Sequence, residues 1–275
     1  DNTGDIMLRD ITLGQYYQTE SVIHRLDPRV KLAGTLLFII SLFFFRNFIG
    51  YLVAALFLAL VIGLSHVPFR FMVKGMRAVV FLLLITVVFN LFLTPGEALV
   101  SIWKLTITKE GLATAVTMAV RLTMLIIGSS IMTLTTTPNN LTDGLEKGLR
   151  PLKLFKVPVH EVAMMMSIAL RFIPILLEET DKIMKAQIAR GADFESGNLI
   201  RRAKALVPLL VPLFISAFRR ANDLAMAMEA RCYRGGDGRT KMKPLIYKRR
   251  DGIAYICILV YLVASIGLGR LTLGI

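Results

Sequence analysis

The sequence has few of the residues from which catalytic and metal sites are built. Its 275 residues include 2 cysteines, Cys232 and Cys257, and 3 scattered histidines. Two cysteines cannot form a disulfide framework or a structural zinc site, and no His-Glu-x-x-His motif is present. Paired acids and a nucleophile beside a base are also missing. These absences argue against an enzyme and against a metal site or bound cofactor.

Charged residues are scarce as well, at 19% against 55% hydrophobic residues, and the mean hydropathy is +0.63. Five stretches contain no charge, or a single arginine in the fourth, and a helix of ~20 residues crosses a bilayer. We therefore predict an all-α membrane protein with about five transmembrane helices, over residues 32–45, 48–65, 78–93, 112–137 and 253–269.

Basic residues are distributed unevenly between the segments that connect these spans. With the N-terminus inside, the inner segments hold 28 of the 33 basic residues and the outer segments hold 4. Basic residues favour the cytoplasmic side. The pattern predicts a multi-pass protein of the cell membrane, with its N-terminus in the cytoplasm and its C-terminus outside.

Acidic residues are absent from the predicted spans, where ion-coupled carriers usually place a carboxylate. Arg121 is the one charge inside them. We expect its side chain to bond within the helix bundle, with a partner in another subunit as the alternative.

Residues 138–251 form a basic, helical insert between the fourth and fifth spans, with a net charge of +9. The predicted domains are thus 1–137 with four spans, 138–251 as a cytoplasmic or interfacial coupling domain, and 252–275 with the last span. Within the insert, apolar periodicity predicts a helix from about Val159 to Ala189, ended by Gly191. A second helical stretch covers 199–231, and Pro208 and Pro212 are expected to break it into two angled helices.

The two long helices of the insert end in similar sequences. Residues 186–191 match residues 227–232 at both alanines and at the arginine, 41 residues apart. An arginine suits the negative end of the helix dipole and can bind a carboxylate with two hydrogen bonds. Simple capping by charge is the alternative, and the repetition favours a binding role.

These features resemble the transmembrane component of energy-coupling factor transporters. The resemblance covers almost the whole chain and includes residues 26–32, residues 170–174 and the two arginine tripeptides. It implies a membrane scaffold that couples ATP hydrolysis by two cytoplasmic ATPase subunits to movement of a membrane-embedded substrate-binding subunit, the S component. Vitamins or metal ions would be the solutes, and the ATPases alone would be catalytic.

The same resemblance implies residues for ATPase docking: Ala189, Arg190, Gly191, Ala230, Arg231 and Cys232. Cys232 departs from the glycine that is commoner there, which makes the second backbone turn less certain. The apolar faces of the insert need a different partner, and seven of the 13 methionines lie in it. Methionine suits surfaces that bind several partners. We expect these faces to hold an interchangeable S component through Met165, Met166, Leu210, Phe214 and Phe218.

Two other functions compete with the scaffold. A self-sufficient carrier or permease would need no ATPase, but it is opposed by the missing intramembrane carboxylates. Nucleic-acid binding would explain the net charge of +14, yet the asymmetry across the membrane explains it better. The expected partners are therefore two ATPases, an S component and the lipid bilayer, and not nucleic acid.

Overall fold

The structure is a computed structural model, and it describes residues 16–45, 48–102, 105–194, 198–236, 242 and 244–271. The N-terminus and the C-terminus, which the sequence predicts to lie inside and outside the cell, are not among these residues. The elements are α1 (Pro28–Phe44), α2 (Phe48–Ser65), α3 (Phe69–Leu93), β1 (Ala98–Ile102), β2 (Leu105–Thr108), α4 (Lys109–Thr135), α5 (Pro138–Gly148), a 3-10 helix (Arg150–Phe155), α6 (Val159–Ala189), α7 (Leu199–Ala230) and α8 (Arg249–Leu271).

The chain divides into two compact units. The membrane unit comprises Gly14–Gly148 and Leu245–Ile275 and contains α1 to α5, the hairpin and α8. The insert unit comprises Leu149–Pro244 and contains the 3-10 helix, α6 and α7. The sequence predicts a cytoplasmic domain over residues 138–251. Those limits refer to the side of the membrane and not to compact packing, so they stay a prediction.

All five predicted spans are helical, in α1, α2, α3, α4 and α8. By length and composition, the described helices able to cross a membrane are α2, α4, α6, α7 from Arg202 and α8. The all-α membrane fold is thus confirmed. Two of these five helices, α6 and α7, belong to the insert unit, whereas α1 and α3, which contain predicted spans, are not among the five.

Two local features of the membrane unit differ from the prediction. The basic segment 66–77, which connects the predicted spans 48–65 and 78–93, is mostly helical, because α3 already begins at Phe69. Basic side chains do not stop a helix, since lysine and arginine are good helix formers. The second feature is the antiparallel hairpin of β1 and β2, which pairs Ile102 with Leu105. The alternation of apolar and threonine residues over 105–108 was the available signal for the second strand.

The core of the membrane unit lies mainly among α1, α2, α4 and α8, where aromatic rings pack with aliphatic side chains. The rings of Phe57 and Tyr261 stack with centroids 4.4 Å apart, and Phe38 lies beside both. The Tyr261 hydroxyl shares a 2.6 Å hydrogen bond with the buried Ser41 hydroxyl. Its polar end is thereby satisfied inside the bundle, as buried tyrosines require.

The insert unit is built around the pair α6 and α7. Helix α6 runs from Val159 to Ala189, as predicted, but α7 is a single helix and its predicted break is wrong. Pro212 has no N–H for the carbonyl of Pro208, which would normally leave that carbonyl unsatisfied. The side-chain amide of Gln187 on α6 donates to this carbonyl at 3.3 Å. A neighbouring helix thus replaces the missing bond and the helix continues.

Candidate functional site

The first arginine tripeptide ends α6 in a compact turn. The N–H of Arg190 donates to the carbonyl of Gln187 at 3.1 Å, while those of Gly191 and Ala192 donate to Ile188 and Gln187 at 2.9 Å each. The last two bonds are the pair that defines a Schellman motif, and Arg190 is its C-cap residue.

The second tripeptide ends α7 in the same way. The N–H of Arg231 donates to Met228 at 3.2 Å, that of Cys232 to Glu229 at 2.8 Å, and that of Tyr233 to Met228 at 3.0 Å. Arg190 and Arg231 therefore occupy the same position in two copies of one motif. The repeat in the sequence is a repeat in the backbone.

Cys232 makes the turn that usually needs glycine. Its φ is 54°, in the left-handed region, and the equivalent Gly191 has φ 88°. A side chain with a Cβ adopts this conformation at a cost of about 1–2 kcal/mol. Cys232 therefore replaces the commoner glycine without changing the geometry of the motif.

Both arginines are exposed, and so are the alanines before them, Ala189 and Ala230. Among the described residues, neither guanidinium hydrogen-bonds or pairs with a carboxylate. Each cation lies at the negative end of its helix, which stabilises it. The small alanines leave room around the guanidinium. Each helix end can therefore insert an arginine into an acidic groove and form a two-pronged contact with a carboxylate.

A polar brace joins α6 to α7 farther along the pair. Glu179 on α6 accepts a 2.5 Å hydrogen bond from the Ser216 hydroxyl and a 2.8 Å hydrogen bond from the Arg220 guanidinium. Together with the bond from Gln187, this brace fixes the two helices at two levels.

The residues expected to bind an S component all lie on exposed surface of α6 and α7. Phe214 is 65% exposed and its ring lies 5.7 Å from that of Phe218. Seven apolar residues of α7 are exposed at helical spacing: Leu206, Val207, Leu210, Val211, Phe214, Ile215 and Phe218. Met165 and Met166 are exposed on α6. Contiguous apolar surface of this kind marks a contact with protein or membrane.

The membrane unit holds a polar cluster where the chain leaves for the insert and returns from it. Arg29 donates from Nε and from a terminal nitrogen to the two carboxylate oxygens of Asp27, at 3.0 and 2.9 Å. Its guanidinium lies 3.8 Å from the centre of the Tyr247 ring. Lys147 and Arg29 both donate to the carbonyl of Leu245, at 2.9 and 3.4 Å. We call these residues, with Asp251, the exit clamp.

Asp251 completes the exit clamp from the first turn of α8, and only 2% of it is exposed. One oxygen accepts the N–H of Lys248 at 2.7 Å, the reach-back bond of a capping box. The other accepts the N–H of Asp27 at 2.8 Å, which ties α8 to the start of α1. Sequence reasoning missed this residue. An acid three positions after a helix N-cap was the available signal.

The charge state of the exit clamp follows from its contacts. Burial raises the pKa of the Asp27 carboxyl, but hydrogen bonds from the Arg29 side chain and backbone, with the charges of Arg29 and Lys147, outweigh it. The pKa of Asp27 is thus held below its usual value. The carboxylate stays ionised at neutral pH, which keeps its pair with Arg29 intact.

Arg121 bonds inside the membrane unit. It donates from two nitrogens to the Tyr51 hydroxyl, at 2.9 and 2.7 Å, and from one to the carbonyl of Phe45 at 3.4 Å. These contacts agree with the structural role expected from the sequence. They join α4 to Tyr51 in α2 and to Phe45, the C-cap residue of α1.

Known families share the sequence over nearly all of this architecture. A family described as cobalt transport protein (CbiQ) matches residues 19–242. The energy-coupling factor transporter transmembrane protein EcfT of Clostridium kluyveri is 57% identical over 262 residues, which cover 94% of this chain and 97% of that protein. The chain belongs to the EcfT family. It is a transmembrane component of an energy-coupling factor transporter.

Other members of the EcfT family match over similar lengths. The EcfT protein of Thermosediminibacter oceani is 54% identical over 259 residues, which cover 94% of this chain and 98% of that protein. That of Lactococcus lactis subsp. cremoris is 44% identical and covers 92% of this chain and 96% of its own. The family assignment therefore rests on both units, including α6 and α7.

Proposed function

We propose that the chain is a non-catalytic scaffold that couples two cytoplasmic ATPase subunits to a membrane-embedded S component. One observation carries the proposal: two exposed arginines occupy the same cap position at the ends of two braced helices. Two equivalent sites suit two similar partners. An arginine that is exposed and unpaired among the described residues can bind a carboxylate on each of them.

The ATPases bind the residues around Arg190 and Arg231, and ATP binding and hydrolysis belong to them. When the two ATPases approach one another, they draw the two helix ends together. The brace of Glu179, Ser216 and Arg220 makes α6 and α7 respond as a pair. Within the membrane unit, the exit clamp joins Lys147 and Leu245, which flank the insert in the sequence, to each other and to Arg29 at the start of α1.

The S component binds the exposed apolar faces of α6 and α7, with Met165, Met166, Leu210, Phe214 and Phe218 as contacts. Flexible methionines adapt to different partners, which suits S components that exchange. The solute is a vitamin or a metal ion and is chosen by the S component. No residue of this chain is assigned to it.

In this arrangement α6 and α7 lie at the cytoplasmic boundary of the cell membrane, and the N-terminus is inside and the C-terminus outside. Cys232 is then cytoplasmic and Cys257 lies in the last span. In sealed cells, a membrane-impermeant maleimide should leave Cys232 unmodified until the cells are opened. Labelling of Cys232 from outside would contradict the orientation.

Reconstitution tests the proposed function directly. The purified chain, alone or co-expressed with candidate ATPases and an S component, is placed in vesicles, and ATP-dependent uptake of radiolabelled vitamin is measured. A scaffold gives uptake only when all partners are present and ATP is supplied on the cytoplasmic side. Uptake by the chain alone would show a self-sufficient carrier and refute the scaffold.

A further inference from the structure

The membrane unit contains an apolar groove that the transport mechanism does not use. Its volume is about 160 Å³, and it lies among α1, α2, α4 and α8. Its wall consists almost entirely of hydrocarbon, from residues such as Phe38, Phe57, Val61, Met132 and Ile258. The groove also reaches Cys257, whose side chain is exposed.

The groove occupies one leaflet of the membrane. It is lined by the beginnings of α1 and α8 and by the ends of α2 and α4, so all four contribute the same end of the bundle. Along α1 it extends from Val30 to Phe38, about 12 Å at 1.5 Å per residue. Half of the hydrocarbon core is about 15 Å deep. The groove therefore matches the depth of a single acyl chain in one leaflet.

Lys31, near the start of α1, is the charged residue among those that line the groove. Lys31 lines it, and its ammonium donates to the carbonyl of Thr135 at 2.7 Å and to that of His24 at 3.2 Å. These two bonds leave one of its three N–H groups for another acceptor. The neighbouring carboxylate of Asp27 is bound by Arg29 through both oxygens. Among the residues that the structure describes, Lys31 is thus held in place without a carboxylate in direct contact.

We propose that this groove is a binding site for an anionic phospholipid. One acyl chain fills the apolar wall, and the phosphate accepts the remaining N–H of Lys31. The cytoplasmic leaflet, which this end of the bundle faces in the predicted orientation, is the one whose surface carries negative charge. The lipid packs α1, α2, α4 and α8 together beside the exit clamp.

Native mass spectrometry of the full chain released from nanodiscs tests the site. Nanodiscs of phosphatidylcholine alone are compared with equal mixtures of phosphatidylcholine and phosphatidylglycerol. Wild type should retain one phosphatidylglycerol, with a preference of about fivefold over phosphatidylcholine, the effect expected of one lysine beside an anionic lipid. Equal retention of the two lipids would overturn the proposal.

Variants locate the lipid. Lys31→Gln keeps a donor for Thr135 but loses the charge, so the preference should vanish, while Lys31→Arg should keep it. Val61→Phe fills the groove and should abolish retention. Lys109→Gln and Val263→Phe, at exposed positions outside the groove, are the matched controls and should behave as wild type. Retained preference in Lys31→Gln and Val61→Phe would place the lipid elsewhere and refute the site.

The two cysteines give a second readout on the same samples. Phosphatidylglycerol should slow alkylation of Cys257 by N-ethylmaleimide, and Cys232 in the insert unit is the internal reference. Inorganic phosphate added to phosphatidylcholine nanodiscs should change neither alkylation rate. It has no acyl chain, and we expect the acyl chain of the lipid, not its phosphate, to cover the Cys257 thiol. Alkylation of Cys257 that is independent of lipid would exclude a chain in the groove.

Discussion

The membrane unit and the insert unit use their side chains in opposite ways. In the membrane unit, aromatic rings are stacked inside and polar residues such as Asp27, Ser41 and Asp251 are buried with their hydrogen bonds made. In the insert, the described residues of α6 that are buried are Val159 and Ala163, and in α7 it is Leu209. Apolar residues there remain exposed. The membrane unit buries polar side chains inside a packed bundle, whereas the described residues of α6 and α7 bury few side chains and present apolar surface that protein or membrane can cover.

Substitution of the arginines at the ends of α6 and α7 should have the largest effect, and the effect should be on ATPase binding. Removing one partner of a buried charge pair costs about 2–5 kcal/mol, so Arg190→Ala with Arg231→Ala should lower ATPase binding by far more than a hundredfold. Co-purification of the ATPases with a tagged chain measures it. Arg219→Ala, an exposed arginine of α7 outside the motifs, is the control. Full recovery of the ATPases with the double variant would show that the two arginines only cap their helices and do not bind the ATPases.

The exit clamp should be the next most sensitive point, and there the effect is on stability rather than on binding. Asp251→Ala leaves the buried N–H of Asp27 without its acceptor, at about 1–3 kcal/mol, and also frees the N–H of Lys248, which water can reach. The thermal unfolding midpoint of the purified chain should fall. Asp223→Ala, at an exposed acid of α7, should leave it unchanged. Equal midpoints for the two variants would mean that the clamp does not stabilise the membrane unit.

The two cap turns offer a smaller test, in which equivalent residues should respond in opposite directions. Gly191→Ala places a Cβ where φ is 88° and no atom lies within 4 Å, so its cost of about 1 kcal/mol comes from the backbone alone. Cys232→Gly removes the same strain and should stabilise the end of α7. Hydrogen exchange at the amides of Ala192 and Tyr233 should speed up in the first variant and slow down in the second. Changes of the same sign would show that the two turns are not equivalent.

Much of the insert could be read from the sequence because its signals are local. Pro158 and Gly191 bracket α6, and the repeated alanine–arginine pattern marks both helix ends. The continuity of α7 could not be read, because it depends on Gln187 of another helix reaching the carbonyl of Pro208. The bond from Asp27 to Asp251 could not be read either, because the two residues lie 224 positions apart, although Asp251 could have been found as an acid three residues after a helix N-cap. What periodicity misses in this chain are single contacts between distant residues.

The central claim is that the insert unit carries two separate binding surfaces, arginine ends for ATPases and an apolar face for the S component. Leu210→Glu with Phe214→Glu, and Arg190→Ala with Arg231→Ala, can be compared in one co-purification from a tagged chain, scoring both classes of partner. Ile200→Glu, an exposed apolar residue near the start of α7, is the matched control for an added charge. The account predicts that the glutamate pair loses the S component and keeps the ATPases, while the alanine pair loses the ATPases. If the glutamate pair kept the S component and lost the ATPases instead, the division of surfaces would be wrong.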